Sequence, residues 1–89
     1  MEVLPSAQRE LDGLPDAVRG EALQLIAELT EDPFHPGAEP LRGYRNRYKI
    51  RFYEFRYRLI YDVYPHKGKV TVGGVRLRDP RTYSGMDRW

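Results

Sequence analysis

The cations of this chain gather where they could hold phosphate. In Arg47-Tyr48-Lys49-Ile50-Arg51-Phe52 a basic residue alternates with an apolar or aromatic one. Arg56, Arg58, Arg76 and Arg78 continue the pattern further along, and Arg45 and Arg81 lie close by. Each exposed cation aimed at a phosphate adds affinity and salt dependence. Tyr44, Tyr48, Tyr53, Tyr57, Tyr61, Tyr64 and Tyr83 add planar rings of the kind on which unpaired bases stack. This chemistry is that of gripping a nucleic-acid strand, RNA above all.

The charge along the chain is sharply divided. Residues 1–40 carry two basic side chains, Arg9 and Arg19, against nine acidic ones, whereas residues 41–89 carry thirteen basic against four acidic. The small net charge of +2 hides an acidic scaffold and an electropositive working half. With no cysteine there is no disulfide framework and no thiolate metal site. His35 and His66 lie in separate loop-like segments, so neither a metal site nor a cofactor is expected. No apolar run approaches the roughly 18–20 residues of a membrane span, and the first residues lack a signal-peptide pattern. The expected compartment is the cytoplasm.

The elements that position these residues follow from period. At 89 residues the chain is expected to form one domain over 1–89 with a thin core. Ser6 to Leu14 reads as a short helix ended near Gly13. A second helix begins at Pro15, where proline and Asp16 suit a first turn. Val18, Ala22, Leu25, Ile26 and Leu29 form its buried stripe, and Pro33 stops it. The two helices, over about 6–32, are expected to form an antiparallel hairpin. Pro33, Pro36, Gly37, Pro40 and Gly43 make residues 33–43 a loop, long for a small domain.

From about 44 to 78 the period becomes that of strands. Tyr48, Ile50 and Phe52 share one face, as do Tyr57, Leu59, Tyr61 and Val63, joined through Tyr53-Glu54-Phe55. Only registers whose paired residue numbers sum to an odd value keep both apolar rows together. After a Pro65–Gly68 turn, Val70 and Val72 face the core, but Val75 and Leu77 have the opposite parity. A β-bulge at Gly73-Gly74 would reset the alternation. It would also bring Arg76 and Arg78 onto the face of Lys49, Arg51 and Arg58. The fold expected is α+β, a helical hairpin packed on one side of a small antiparallel sheet, with five cations on the other. Residues 79–89 are left as a tail.

Leu41-Arg42-Gly43, Tyr48-Lys49-Ile50-Arg51, Tyr57-Arg58-Leu59-Ile60-Tyr61 and Val75-Arg76-Leu77-Arg78 with Tyr83 resemble the RelE/ParE superfamily of toxins from type II toxin–antitoxin systems, over nearly the whole length from Pro5 to Tyr83. The family's first strand is reduced here to at most Met1 to Leu4. The resemblance implies the RelE-like microbial RNase fold and a ribosome-dependent endoribonuclease that cuts messenger RNA in the A site. In such an enzyme the 2′-hydroxyl attacks the adjacent phosphate and the 5′-oxygen leaves, without metal. Carried over, Lys49 and Arg51 match the basic pair of the first long strand, and Arg58 the central arginine that stabilises the phosphoryl charge. Arg78 matches the late arginine with a spacing one residue off, and Tyr83 the terminal tyrosine that stacks on a base or shuttles a proton. Lys49, a lysine among arginines, is the first candidate for the general base; Glu39-Pro40-Leu41 resembles the segment carrying a catalytic glutamate in the YoeB branch, which makes Glu39 its rival, with a solvated loop carboxylate as the competing reading. Arg45, Arg47, Arg56, Arg76 and Arg81 are expected to add RNA contacts.

The same resemblance leaves a second function open. ParE-like members poison DNA gyrase by protein contact and cut no RNA, and a non-catalytic nucleic-acid-binding module would also use the charge. Either toxin reading implies a cognate antitoxin, an acidic segment that folds over the basic surface.

Overall fold

The alternating segments become the centre of a five-stranded sheet in the computed structural model, which describes residues 1–79. In chain order the elements are β1 (Glu2–Val3), α1 (Pro5–Asp12), α2 (Asp16–Glu31), β2 (Ala38–Pro40), β3 (Arg47–Phe52), β4 (Tyr57–Tyr64) and β5 (Lys69–Leu77). The strand order across the sheet is β1-β5-β4-β3-β2. A 3-10 turn, Pro65–Lys67, closes onto Gly68, whose φ of 58° is the left-handed value that glycine adopts without a side-chain clash.

Register follows the odd-sum rule. β3 and β4 are antiparallel with Arg47 opposite Asp62, Lys49 opposite Ile60 and Arg51 opposite Arg58. The bulge falls where parity required it. Ile60 faces Gly74 while Tyr61 faces Val72, so Gly73 is the extra residue. Past it, Val75 returns to the core and Arg76 lands opposite Arg58.

The core lies between the helices and one face of the sheet. Ala7, Leu11, Val18, Ala22, Leu25 and Leu29 meet Ile50, Phe52, Leu59, Tyr61, Val63, Val70, Val72 and Val75. Ile26 is half-buried at its margin. Tyr61 carries the largest fully buried side chain; it stacks on Tyr48 at 5.8 Å and donates to the Pro33 carbonyl at 2.9 Å. This bond fixes the end of α2 against the sheet. Arg19 closes the junction between helices. Its guanidinium donates to the Leu11, Asp12 and Leu14 carbonyls and pairs with Asp16 at 3.0 Å. Leu11 and Asp12 close α1 and Leu14 lies in the link to α2, so a cation suits the negative end of the helix there.

Two corrections concern the sheet's edges. The expected antiparallel sheet of three strands is a mixed sheet of five, because β1 pairs in parallel with β5. The expected loop over 33–43 contains a strand, with Ala38, Glu39 and Pro40 opposite Ile50, Lys49 and Tyr48. Both edge strands have three residues or fewer, too few for alternation to be legible. Pro40 is tolerable there because only an edge strand can spare an amide donor. His35 sets the approach to β2. Its Nδ1 accepts from the Gly37 amide at 3.0 Å, so its Nε2–H donates to Glu28 at 2.8 Å. That hydrogen bond, with a smaller contribution from Gln24, holds the Glu28 carboxyl below the usual carboxylate range.

Candidate nucleic-acid interface

The sheet face away from the helices carries a row of arginines. Arg51 on β3, Arg58 on β4 and Arg76 on β5 stand directly opposite one another across three adjacent strands. Directly opposed residues of an antiparallel pair lie about 4.5–5.5 Å apart, and like charges there are destabilising. Lys49 is one step along on the same face, half-buried, between Glu39 and Ile60 in the register. Ile60 itself is sealed by Leu41, so the loop after β2 covers the far half of this face.

Each arginine of the row is held differently. Arg51 is about half exposed, and its Nε lies 3.2 Å from a Glu39 carboxylate oxygen. Arg58 is only 6% exposed. Its guanidinium donates to the Phe55 carbonyl at 2.6 Å and the Tyr57 carbonyl at 3.1 Å, so the middle cation also closes the β3–β4 turn. Arg76 is reached from α1, where Glu10 accepts from its Nε at 2.9 Å and from the Val75 amide at 3.2 Å. Glu10 thereby satisfies a sheet-edge amide and neutralises the outer cation at once. The row is flanked by two carboxylates, Glu39 and Glu10, for which an incoming phosphate would compete.

The remaining expected residues divide. Arg78 is exposed just past the end of β5, with its amide bonded to the Arg56 carbonyl at 2.7 Å. Arg56 is exposed in the β3–β4 turn, 3.9 Å from Glu54. Arg45 is exposed in the loop before β3 and lines a shallow recess with Tyr44, Asn46, Arg47, Asp62 and Tyr64. Glu39, expected in a loop, sits on β2 beside Lys49 and Arg51. Tyr83 and Arg81 lie outside the described residues.

Arg47, expected to contact RNA, is engaged within the protein. It is buried at 7% exposure, with Nε 2.7 Å and a terminal nitrogen 3.0 Å from the two oxygens of Asp62. The Tyr64 hydroxyl donates to the same carboxylate at 3.0 Å, and the Tyr44 ring lies 4.6 Å from the Arg47 guanidinium carbon. Asp62 and the loss of solvent raise and lower the Arg47 pKa respectively, and the bond to Asp62 prevails. The Tyr64 hydroxyl is pushed upward by burial and by Asp62. A fork-to-carboxylate pair this buried is part of the scaffold. The odd-sum rule allows several registers, and the one the chain adopts puts Arg47 opposite Asp62, so the pairing was not fixed by sequence. Glu10 carried no sequence signal. Among the described residues no group of three or more histidine, aspartate or glutamate side chains is placed to hold a metal ion.

A helical pair on one face of a mixed five-stranded sheet is a small α+β architecture, and it matches that of RelE toxins. No protein-family model and no curated protein sequence matches the chain. Solved structures do. The chain superposes on the E. coli RelBE toxin–antitoxin complex with a TM-score of 0.76 and 31% identity, covering 88% of this chain and 94% of that one. For a free arginine-to-alanine double mutant of E. coli RelE the TM-score is 0.80 at 29% identity, covering 98% and 93%. The RelB–RelE complex of Methanococcus jannaschii, at 18% identity and a TM-score of 0.73 over 88% and 91%, shares the fold. The chain belongs to the RelE toxin family. No helix among the described residues is long and apolar enough to cross a membrane.

Proposed function

We propose that this toxin is a metal-independent endoribonuclease that cleaves messenger RNA in the ribosomal A site, and that residues 1–89 act as one domain. The observation that carries the reading is the in-register row Arg51–Arg58–Arg76 with Lys49 beside it. A scissile phosphate lying across that row would meet donors from three strands. Charge growing on its non-bridging oxygens as the 2′-hydroxyl attacks would be stabilised by groups already in position. Arg58, 6% exposed and fixed by two carbonyls, supplies positive charge from beneath the row, while Arg51 is its open member. Lys49, Glu39 and Tyr83 are the candidates for moving protons, and Glu39 gains support from its place beside Lys49 and Arg51.

A cognate antitoxin follows from the same face. The similar structures include RelB–RelE complexes from E. coli and M. jannaschii and a RelBE2 complex from Mycobacterium tuberculosis. An acidic segment laid over the row would relieve the repulsion among its arginines.

The test is controlled expression followed by mapping of messenger RNA 5′ ends, comparing wild type with Arg51→Ala. Arg51 is preferred to Arg58 because it is half exposed and holds no backbone in place. New ends inside translated codons that fade in the variant are expected. Growth arrest with no new RNA ends but with gyrase-linked DNA breaks would sink the nuclease reading in favour of gyrase inhibition.

A further inference from the structure

The β3–β4 turn is built against the preferences of its own residues. Tyr53, Glu54 and Phe55 have φ values of 51°, 57° and 65° in succession, the left-handed region in which a side chain crowds its backbone. The two other described residues with positive φ, at positions 43 and 68, are both glycine. Where only the backbone path matters this chain uses glycine; at the turn it keeps three side chains. Such strain persists where the surroundings enforce it, and it gathers at sites of function.

Packing accounts for the first of the three. The Tyr53 ring meets Tyr57 edge-on at 6.1 Å and borders the core. Phe55 has no such role, being 66% exposed, the most exposed large apolar side chain described. Yet its backbone is fixed. The Arg56 amide donates to the Tyr53 carbonyl at 3.2 Å, and Arg58 holds the Phe55 carbonyl at 2.6 Å. A bare aromatic ring is thus borne on a locked turn tied directly to the central cation of the row. Its neighbours Glu54 and Arg56 are charged and exposed, which does not favour an apolar protein surface there.

We propose that Phe55 is a stacking contact for an unpaired nucleobase next to the phosphate held by Arg51, Arg58 and Arg76. Every base offers a face to such a ring, so the contact positions the strand without reading its sequence. The locked turn fixes where along the strand that base falls relative to the row. This inference rests on the RNA reading above.

The experiment uses the full-length toxin and single-stranded RNA oligonucleotides carrying a 2′-deoxy block at the cleavage position. Binding is compared for wild type, Phe55→Gly, Phe55→Tyr and Arg51→Ala, with an abasic spacer moved along the strand. Phe55→Gly is expected to weaken binding about 5- to 100-fold, while its thermal midpoint rises because glycine relieves the left-handed residue. Phe55→Tyr should bind as wild type does. One spacer position should weaken wild type and leave Phe55→Gly unaffected. Equal binding by wild type and Phe55→Gly, or equal spacer losses in both, overturns the stacking contact while Arg51→Ala still reports on the RNA reading. Weaker binding of an acidic antitoxin-type peptide by Phe55→Gly, with RNA binding unchanged, overturns it in favour of a protein contact. Loss of all difference between wild type and Arg51→Ala removes the RNA reading and this inference with it.

Discussion

Removing the Asp62 carboxylate should reveal how much of the basic face is scaffold. The Arg47 and Asp62 side chains are only 7% and 4% exposed, and Asp62 accepts from Arg47 twice and from Tyr64 once. Asp62→Ala leaves a buried guanidinium without its carboxylate, which costs about 3–5 kcal/mol. Loss of the Tyr64 hydrogen bond adds about 1 kcal/mol. A chain of this length has a total stability of about 4–13 kcal/mol, so the variant should lose a third of it or more. The double variant Arg47→Met with Asp62→Leu removes both charges and fills the space, and should match wild type or exceed it by about 1–4 kcal/mol. Urea denaturation followed by far-ultraviolet circular dichroism gives each value, provided the denaturant slope is unchanged. If Asp62→Ala costs less than about 1 kcal/mol, or the double variant is as weak as the single, the pair is not structural in the sense argued. RNA binding by the double variant should be close to wild type, since Arg47 stands outside the row; a loss as large as that of Arg51→Ala would return Arg47 to the site.

Arg51→Ala should reduce the dependence of single-strand binding on salt, flattening the slope of log K against log salt by about 0.7; an unchanged slope means Arg51 meets no phosphate. Glu39→Gln separates two roles. Freeing Arg51 from its ion pair should tighten RNA binding, and if Glu39 is the base, single-turnover cleavage should fall about 100-fold or more; cleavage that rises with binding assigns the proton to another group. Burial, with Tyr48 close by, pushes the Tyr61 hydroxyl up to about 12. Its folded value lies above its unfolded one, so the neutral phenol contributes stability below pH about 10 that is lost as pH climbs toward 12. The upper limit is about 2–3 kcal/mol, and Tyr61→Phe should abolish this alkaline component, read by denaturation at pH 9 and 11.

Much of this architecture is written locally. Strand parity put Tyr48, Ile50, Phe52, Leu59 and Tyr61 on one face and the cations on the other, because side chains alternate with period two. The conflict between Val72 and Val75 located the bulge at Gly73-Gly74, since only an extra residue reconciles two parities in one strand, and the structure makes Gly73 that residue. Those two facts put Arg51, Arg58 and Arg76 on one face; the register that sets them directly opposite one another came from the structure. The sequence could not supply what depends on segments meeting from afar. Glu10 reaches Arg76 only because α1 docks along β5, and Glu39 reaches Arg51 only because a three-residue edge strand forms. Arg47 is covered on that face because Asp62, Tyr64 and Tyr44, from β4 and from the loop before β3, close around its guanidinium. Periodicity assigns a residue to a face; whether that face is open or covered is decided by tertiary packing, whose partners are distant in the chain.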